Sequence, residues 1–337
     1  MKVKGSSVFL GYKTCLAGIV AICILLLDLW AVAGVFNDQV TLFKYMNYFG
    51  YYIPVLAILM AAAAMFFISG WLLRSLVICL TFPAVLIPVI LASLPFSGSS
   101  WELGESIDGT EISIISYSKM SRNRDYKRLS ELLDCSKVDI ILMQEASDFE
   151  DLLEAEPEIA DYCNYAFTGG DYKSLVLLTR LPILSSVAHR THNTFSIDVS
   201  GRPVTLITTR VDKSLKPQGG ELQRKQISEI IEDLPDPDNV PVILAGDFNS
   251  TPHNATIYRM KEAMAYAAPE GLMFSTFTFP AEGRWYASLG ALIRIDHIFY
   301  RGLRLHSSRV LDDSYGSDHY PVRAVFTVPD TLEGSDE

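Results

Sequence analysis

No Cys/His cluster with the spacing of a zinc site is visible among the five cysteines and six histidines, so a zinc-finger type of domain is excluded. Clustered Lys/Arg with interleaved aromatics is also missing, and the formal net charge is −11 at pH 7. Nucleic-acid binding through a broad basic face is thereby disfavoured, because neutralised phosphates supply much of that affinity. The modestly basic stretches "GRPVTLITTRVDKSLK" (201–216) and "SRNRDYKR" (121–128) read as solvated edges. There is no internal repeat, which excludes repeat architectures, and no low-complexity stretch apart from an acidic tail at 329–337. Basic residues are absent between Arg74 and Lys119.

What fills the front of the chain is apolar. Runs at 16–36, 53–69 and 75–94 approach the ~20 residues that cross ~30 Å of hydrocarbon. The first run is too long for a signal-peptide core and lacks a small-x-small cleavage site. Three spans within an N-terminal membrane domain (1–96) are therefore expected. The first 97 residues hold Lys2, Lys4, Lys13, Lys44 and Arg74 against Asp28 and Asp38, so all the acidic excess lies further on. Lys2, Lys4 and Lys13 precede span one, and Arg74 falls between spans two and three. The positive-inside rule then places the N-terminus in the cytoplasm and, after three crossings, the remainder outside it. The expectation is a multi-pass protein of the bacterial inner or plasma membrane with an extracytoplasmic C-terminal domain. Cys135 and Cys163 fall in that domain, where a disulfide is permitted, but nothing in the sequence brings them together and two buried thiols are expected.

A Gly/Ser and acidic linker (97–110) leads into alternating strands and helices over 111–328. Strands are expected at 111–118, 138–145, 174–184, 202–211, 240–249, 293–300 and 319–328, with helices at 125–135, 221–234 and around 254–265. Nearly all-apolar strands with intervening helices fit a layered α/β domain, either a four-layer sandwich or a doubly wound sheet.

Several strands end on polar residues: Glu145 in "LMQEAS", Asp247 and Asn249 in "AGDFNS", Asp296 in "RIDHIF", and Asp318 with His319 in "GSDHYP". Open sheets place ligand sites at such edges. Oxygen donors suit a hard cation, with Mg²⁺ first and Mn²⁺ or Ca²⁺ as alternatives. Carboxylates, a metal and an imidazole are the parts that phosphate-ester hydrolysis needs.

In "QE" (144–145), "GDFN" (246–249), "DHI" (296–298) and "SDHYP" (317–321) the sequence resembles the endonuclease/exonuclease/phosphatase superfamily, of a membrane-anchored type, across the whole outer domain. The resemblance implies an α/β fold, a four-layer αββα sandwich, here preceded by three transmembrane helices. It implies Glu145 as the main metal ligand, helped by Asp318. Asp247 would orient and deprotonate the attacking water, Asn249 would hold a phosphate oxygen, and His319, held by Asp296, would stabilise transition-state charge. Two positions depart from the pattern. Ser118 stands where an Asn is usual, and Arg210 stands where a His is usual after "VTLITT". Both are candidate phosphate contacts, Arg210 as a bidentate cation.

The expected activity is that of a metal-dependent phosphatase or phosphodiesterase. A tether at the membrane favours membrane lipids as partners and lipid-linked phosphate or another phosphoester or pyrophosphate as substrate. Nucleic acid is less favoured, and no protein partner is indicated. The rival readings are an extracytoplasmic nuclease and a non-catalytic phosphate-binding sensor or scaffold. "GLMFSTFTF" (271–279) reads as a buried loop or strand, with a lipid-dipping loop as the alternative.

Overall fold

Uncharged apolar runs become helices at the front of the chain. The computed structural model describes residues 4–36, 41–68, 70–93, 108–168, 174–213, 219–236 and 240–330. Its first helices are α1 (Lys4–Phe36), α2 (Thr41–Tyr48), α3 (Tyr52–Phe67) and α4 (Trp71–Ser93). The chain divides into two compact units, one made of these helices with Pro252–Ile257 and the other of the remaining sequence. In the first unit α1, α3 and α4 pack through Ile24, Leu27, Ala31, Ile53, Ala57, Ala64, Val77 and Ala84. The alanines let the helix backbones approach closely. Leu25, Leu29, Leu59, Phe66, Leu73 and Phe82 face outward, the reverse of a water-soluble bundle.

Among the described residues two helices, not the expected three, are long and apolar enough to cross a bilayer, through windows Cys15–Val32 and Trp71–Ile90. The expected middle span forms α3, whose 16 residues rise only about 24 Å. Arg74, expected between spans, lies in the first turn of α4, where its Nε donates to Ile68 O at 2.8 Å. The expected linker at 97–110 falls largely outside the described residues, as does most of the acidic tail.

Strands buried on both faces build the centre of the second unit. Its strands are β1 (Gly109–Ser118), β2 (Ile140–Gln144), β3 (Asn164–Thr168), β4 (Leu175–Thr179), β5 (Ile183–Ala188), β6 (His192–Val199), β7 (Arg202–Arg210), β8 (Val242–Asp247), β9 (Ala265–Tyr266), β10 (Asp296–Arg301), β11 (Arg304–Val310) and β12 (Val322–Pro329). They form two six-stranded sheets, β11-β12-β1-β2-β4-β3 and β5-β6-β7-β8-β10-β9. The sheets meet through Ile112, Ile114, Ile140, Leu142 and Leu177 on one side and Phe195, Val204, Leu206, Ile243, Ala245 and Ile298 on the other. Each fully buried Leu or Ile there contributes about 2 kcal/mol. The opposite parity of the first sheet, Ile115, Tyr117, Ile141 and Met143, packs on α5 (Tyr126–Leu132) and α6 (Phe149–Ala155). Three further helices follow: α7 (Glu158–Tyr162), α8 (Gly219–Glu232) and α9 (Ala255–Ala263). Two sheets flanked by helices make the α/β sandwich.

Each sheet contains one parallel pair, β1 with β2 and β7 with β8. The two strand orders match position for position, although the sequence shows no repeat. The single strand expected at 174–184 is two strands in different sheets. Pro182 lies between them; it lacks an N–H and suits the crossover from one sheet to the other. β3, β6, β9 and β11 lie outside the strands expected from the sequence.

Cys135 and Cys163 form a disulfide with Cα atoms 5.4 Å apart, correcting the expected buried thiols. The sheet order causes it, since β3 lies two places from β2 and returns the chain beside the residues that precede β2. Closing 28 residues of chain is worth about 3 kcal/mol. We expect Cys163→Ser to lower the unfolding free energy by that order, and non-reducing peptide mapping to recover a Cys135–Cys163 crosslink. Two free thiols in the map would overturn the assignment.

Candidate active site

The alternation that fills the inter-sheet core ends on polar side chains at one edge. Beyond Ile112 and Ile114 the same parity of β1 reaches Ser118; beyond Ile140 and Leu142, β2 reaches Gln144. In the second sheet, Val204 and Leu206 lead to Arg210, and Ile243 and Ala245 lead to Asp247. Register places Arg210 opposite Asp247, and Asp247 opposite Asp296, in one row across β7, β8 and β10. The C-terminal ends of both parallel pairs thus converge, as ligand sites in α/β sheets do.

Arg210 joins the two sheets. Its Nη2 lies 2.5 Å from Glu145 Oε1, just past β2, and its Nε lies 3.8 Å from Asp247 Oδ2. Glu145 Oε2 accepts from Ser121 N at 3.1 Å. Gln144 Nε2, donating to Thr208 Oγ1 at 3.0 Å, makes a second bond between sheets. The β8 edge tolerates no side chain at Gly246, where a Cβ would lie 1.9 Å from Thr209 O. Glu145 (φ 57°) and Asn249 (φ 45°) both occupy the left-handed region, which costs a non-glycine residue about 1 kcal/mol or more.

Asn249 works on Asp247. Its backbone N–H donates to Asp247 Oδ1 and its Nδ2 to Asp247 Oδ2, each at 2.9 Å, with a further bond from Nδ2 to Val211 O at 2.8 Å. Gln223 of α8 holds this turn by donating to Phe248 O and Asn249 O, both at 3.2 Å. The amide expected to grip a phosphate therefore orients the carboxylate beside it.

His319 Nδ1 donates to Asp296 Oδ2 at 2.9 Å, and His319 Nε2 lies 4.0 Å from Asp318 Oδ1. Asp318 Oδ2 accepts from Arg284 Nε at 2.9 Å and Nη2 at 2.6 Å. Ser317 Oγ donates to Ser118 O at 2.6 Å and accepts from His319 N at 3.0 Å, fastening the closing motif to the end of β1. Thr278 Oγ1 accepts from Asp296 N at 3.3 Å, and the Phe279 ring stands 5.0 Å from that of His319. Arg284, Thr278 and Phe279 are not among the expected site residues, since 271–279 reads only as an apolar-aromatic stretch and Arg284 falls in no motif; Ser317 enters only as the first residue of "SDHYP".

Burial raises the Asp247 carboxyl to about 6, the charge of His319 only partly opposing it. For His319 burial opposes charge, but Asp296, Asp247 and Asp318 outweigh it and hold the imidazole up to about 9. Asp247 is thus a weakly basic carboxylate beside an imidazolium.

The structure gathers every expected site residue at this edge. Asp247, Asp296 and His319 each bring one ligand atom within 4.8 Å of the others. Asp296 Oδ1 and Ser118 Oγ are buried with no hydrogen-bond partner, so two oxygens remain for a ligand. The carboxylate and hydroxyl oxygens of this edge fit a hard divalent cation, whereas His319, as an imidazolium, offers one no lone pair. Glu145 and Asp318, the ligands implied by resemblance, each engage a guanidinium.

A model described as the Endonuclease/Exonuclease/phosphatase family matches residues 105–319, more than half of the sequence. The chain belongs to that family. No curated protein matches it. D. rerio TDP2, complexed with single strand DNA product, is 16% identical with a TM-score of 0.54, over 65% of this chain and 99% of that one. The human Nocturnin catalytic domain with bound sulfate anion is 15% identical with a TM-score of 0.52, over 66% and 97%. A mutant of beta toxin from Staphylococcus aureus with bound magnesium ions is 15% identical with a TM-score of 0.50, over 64% and 99%. Likeness at these identities is a likeness of fold.

Removing the Arg210 cation strands two carboxylates, one of them fully buried. Arg210→Met is expected to destabilise the protein by about 3 kcal/mol, read from thermal unfolding in detergent. A melting temperature equal to wild type would show that the ion pair holds nothing together.

Proposed function

We propose that the protein is a membrane-anchored, divalent-metal-dependent phosphoesterase acting outside the cytoplasm, with lipid-linked phosphate or pyrophosphate as its favoured substrate. The observation that carries the catalytic half is the buried Asp247–Asp296–His319 group beside Arg210. A carboxylate raised to about 6 can take a proton from water at neutral pH, and an imidazole held up to about 9 can donate to a phosphoryl oxygen. Asn249 fixes the carboxylate, and Asp296 fixes the imidazole. Arg210 and Ser118 receive the phosphate. Glu145 and Asp318 would hold Mg²⁺, with Mn²⁺ or Ca²⁺ as replacements; the bound ion supplies Lewis-acid neutralisation of phosphoryl charge.

Three observations support the membrane half. The window of α4 is only 22% buried and that of α1 11%, unlike core helices of a soluble protein. α3 also presents Leu59 and Phe66 outward, which suits a third, shorter crossing that thins the bilayer around it. The Cys135–Cys163 disulfide belongs to an oxidising compartment, which agrees with an odd number of crossings from a cytoplasmic N-terminus. Near the site lies segment 271–289, of which 271–279 is the stretch expected as a buried loop or strand; Thr276, Phe277 and Thr278 are buried as expected, and the residues before them are not. The segment holds a 3₁₀ turn at Met273–Thr276 and exposes Leu272 (84%), Phe274 (57%), Trp285 (88%) and Leu289 (73%). Exposed Trp and Leu on the segment that carries Arg284 suit contact with lipid.

The Arg210–Glu145 pair favours a second reading, a non-catalytic phosphate-binding module, because a guanidinium already engages the expected ligand. Purified full-length protein in detergent with Mg²⁺ should hydrolyse a lipid pyrophosphate and a bis-aryl phosphodiester. Asp247→Asn and His319→Ala should each lose at least a hundredfold in kcat. Mg²⁺ binding without turnover would establish the sensor, and selective plasmid degradation would establish the nuclease.

The exposed apolar segment yields a separate expectation. Trp285→Ser with Leu272→Ser should raise KM for vesicle-borne substrate about tenfold, one buried aromatic being worth over 1 kcal/mol. Turnover of the soluble diester should not change. Equal effects on both substrates would remove the lipid-contact role.

A further inference from the structure

Two of the six histidines lie at the turn between β5 and β6, away from the catalytic row. His192 is paired with Thr209, one residue before Arg210, so its side chain leaves the second sheet on the face opposite the site. His189 N donates to His192 O at 2.9 Å, and the two imidazoles stack with centroids 4.3 Å apart and planes 11° from parallel. Asp233, just past α8, brings Oδ2 to 3.4 Å from His189 Nδ1 and 3.6 Å from His192 Nε2. These separations are long for N–H···O bonds. They match the edge of about 3.3 Å in a tetrahedron whose N and O ligands lie ~2.0–2.1 Å from Zn²⁺.

We propose that His189, His192 and Asp233 form a second metal site, for a zinc-type divalent ion, on the outer face of the second sheet. His192 Nε2 is fully buried and has no hydrogen-bond partner, a state that a ligated ion would satisfy. Its other nitrogen, Nδ1, lies 3.1 Å from Thr191 Oγ1, the kind of outer contact that fixes ring orientation in metal-bound histidines. Glu229, one turn earlier on α8, is engaged by Arg190, which leaves Asp233 as the carboxylate of the site. The side chains of His189 and Asp233 are partly exposed, at 32% and 43%, so water can enter and take a fourth position. A bound ion would clamp the β5–β6 turn to the end of α8, whose Gln223 supports the Asp247–Asn249 turn. The histidines sit close together, but their third ligand lies beyond two further strands and a helix, so no zinc spacing is legible in the chain.

The test titrates Zn²⁺ calorimetrically into chelator-treated full-length protein in detergent with saturating Mg²⁺. One Zn²⁺ per chain is expected. His189→Gln and Asp233→Asn, both partly exposed and compatible with folding, should each weaken it at least tenfold. Glu145→Gln, at the catalytic edge, should leave it within twofold. No stoichiometric binding, less than a tenfold loss in both variants, or an equal loss in Glu145→Gln would overturn the proposal.

Discussion

A guanidinium placed between two carboxylates of different sheets is the constraint on which the catalytic edge depends. Glu145 and Asp247 terminate strands that are otherwise apolar, and four carboxylates gather within the same end of the sandwich. Without Arg210, Arg284 and the imidazolium of His319, their mutual repulsion and desolvation would open that end. With them, the site approaches neutrality and still holds a base of raised proton affinity. Arg210, Arg284 and His319 thus leave a partly compensated cationic cluster beside the carboxylates, a setting suited to an anionic ligand.

Strand parity makes this arrangement legible in part. An apolar strand buried on both faces gives no alternating signal, yet its last inward position is fixed once its end is known. Glu145, Asp247, Asp296 and His319 were therefore visible as polar residues at the ends of hydrophobic runs, whereas Ser118 and Arg210 stood out only as departures from the family pattern. The adjacency of these residues was not visible. That Arg210, Asp247 and Asp296 occupy one row depends on register between strands separated by a helix and a long loop. Arg284, Thr278 and Ser317 act through hydrogen bonds from irregular backbone, which leaves no periodic trace. The break at Pro182 was written in the sequence, but the apolar residues on both sides of it read as one strand.

Hydropathy located the N-terminal helices well and their ends poorly. Composition reports how apolar a window is, whereas crossing depends on helix length, and α3 stops after 16 residues. Cysteine pairing lay beyond sequence reasoning for a related reason. A strand order that skips from β2 to β4 and returns to β3 brings Cys163 to Cys135, and spacing along the chain carries no record of it.

The two sheets differ in how the polypeptide supplies them. Ile183–Arg301 contains every strand of the second, while the first draws on both flanks of that stretch and needs β12 between β1 and β11. A chain leaving the ribosome can complete the second sheet while the first still lacks β11 and β12. His319 and its tether to Ser118 arrive together with that last piece. The candidate site is thus incomplete until the chain has passed His319, and a product truncated before that residue would lack both the imidazole and the strand β12.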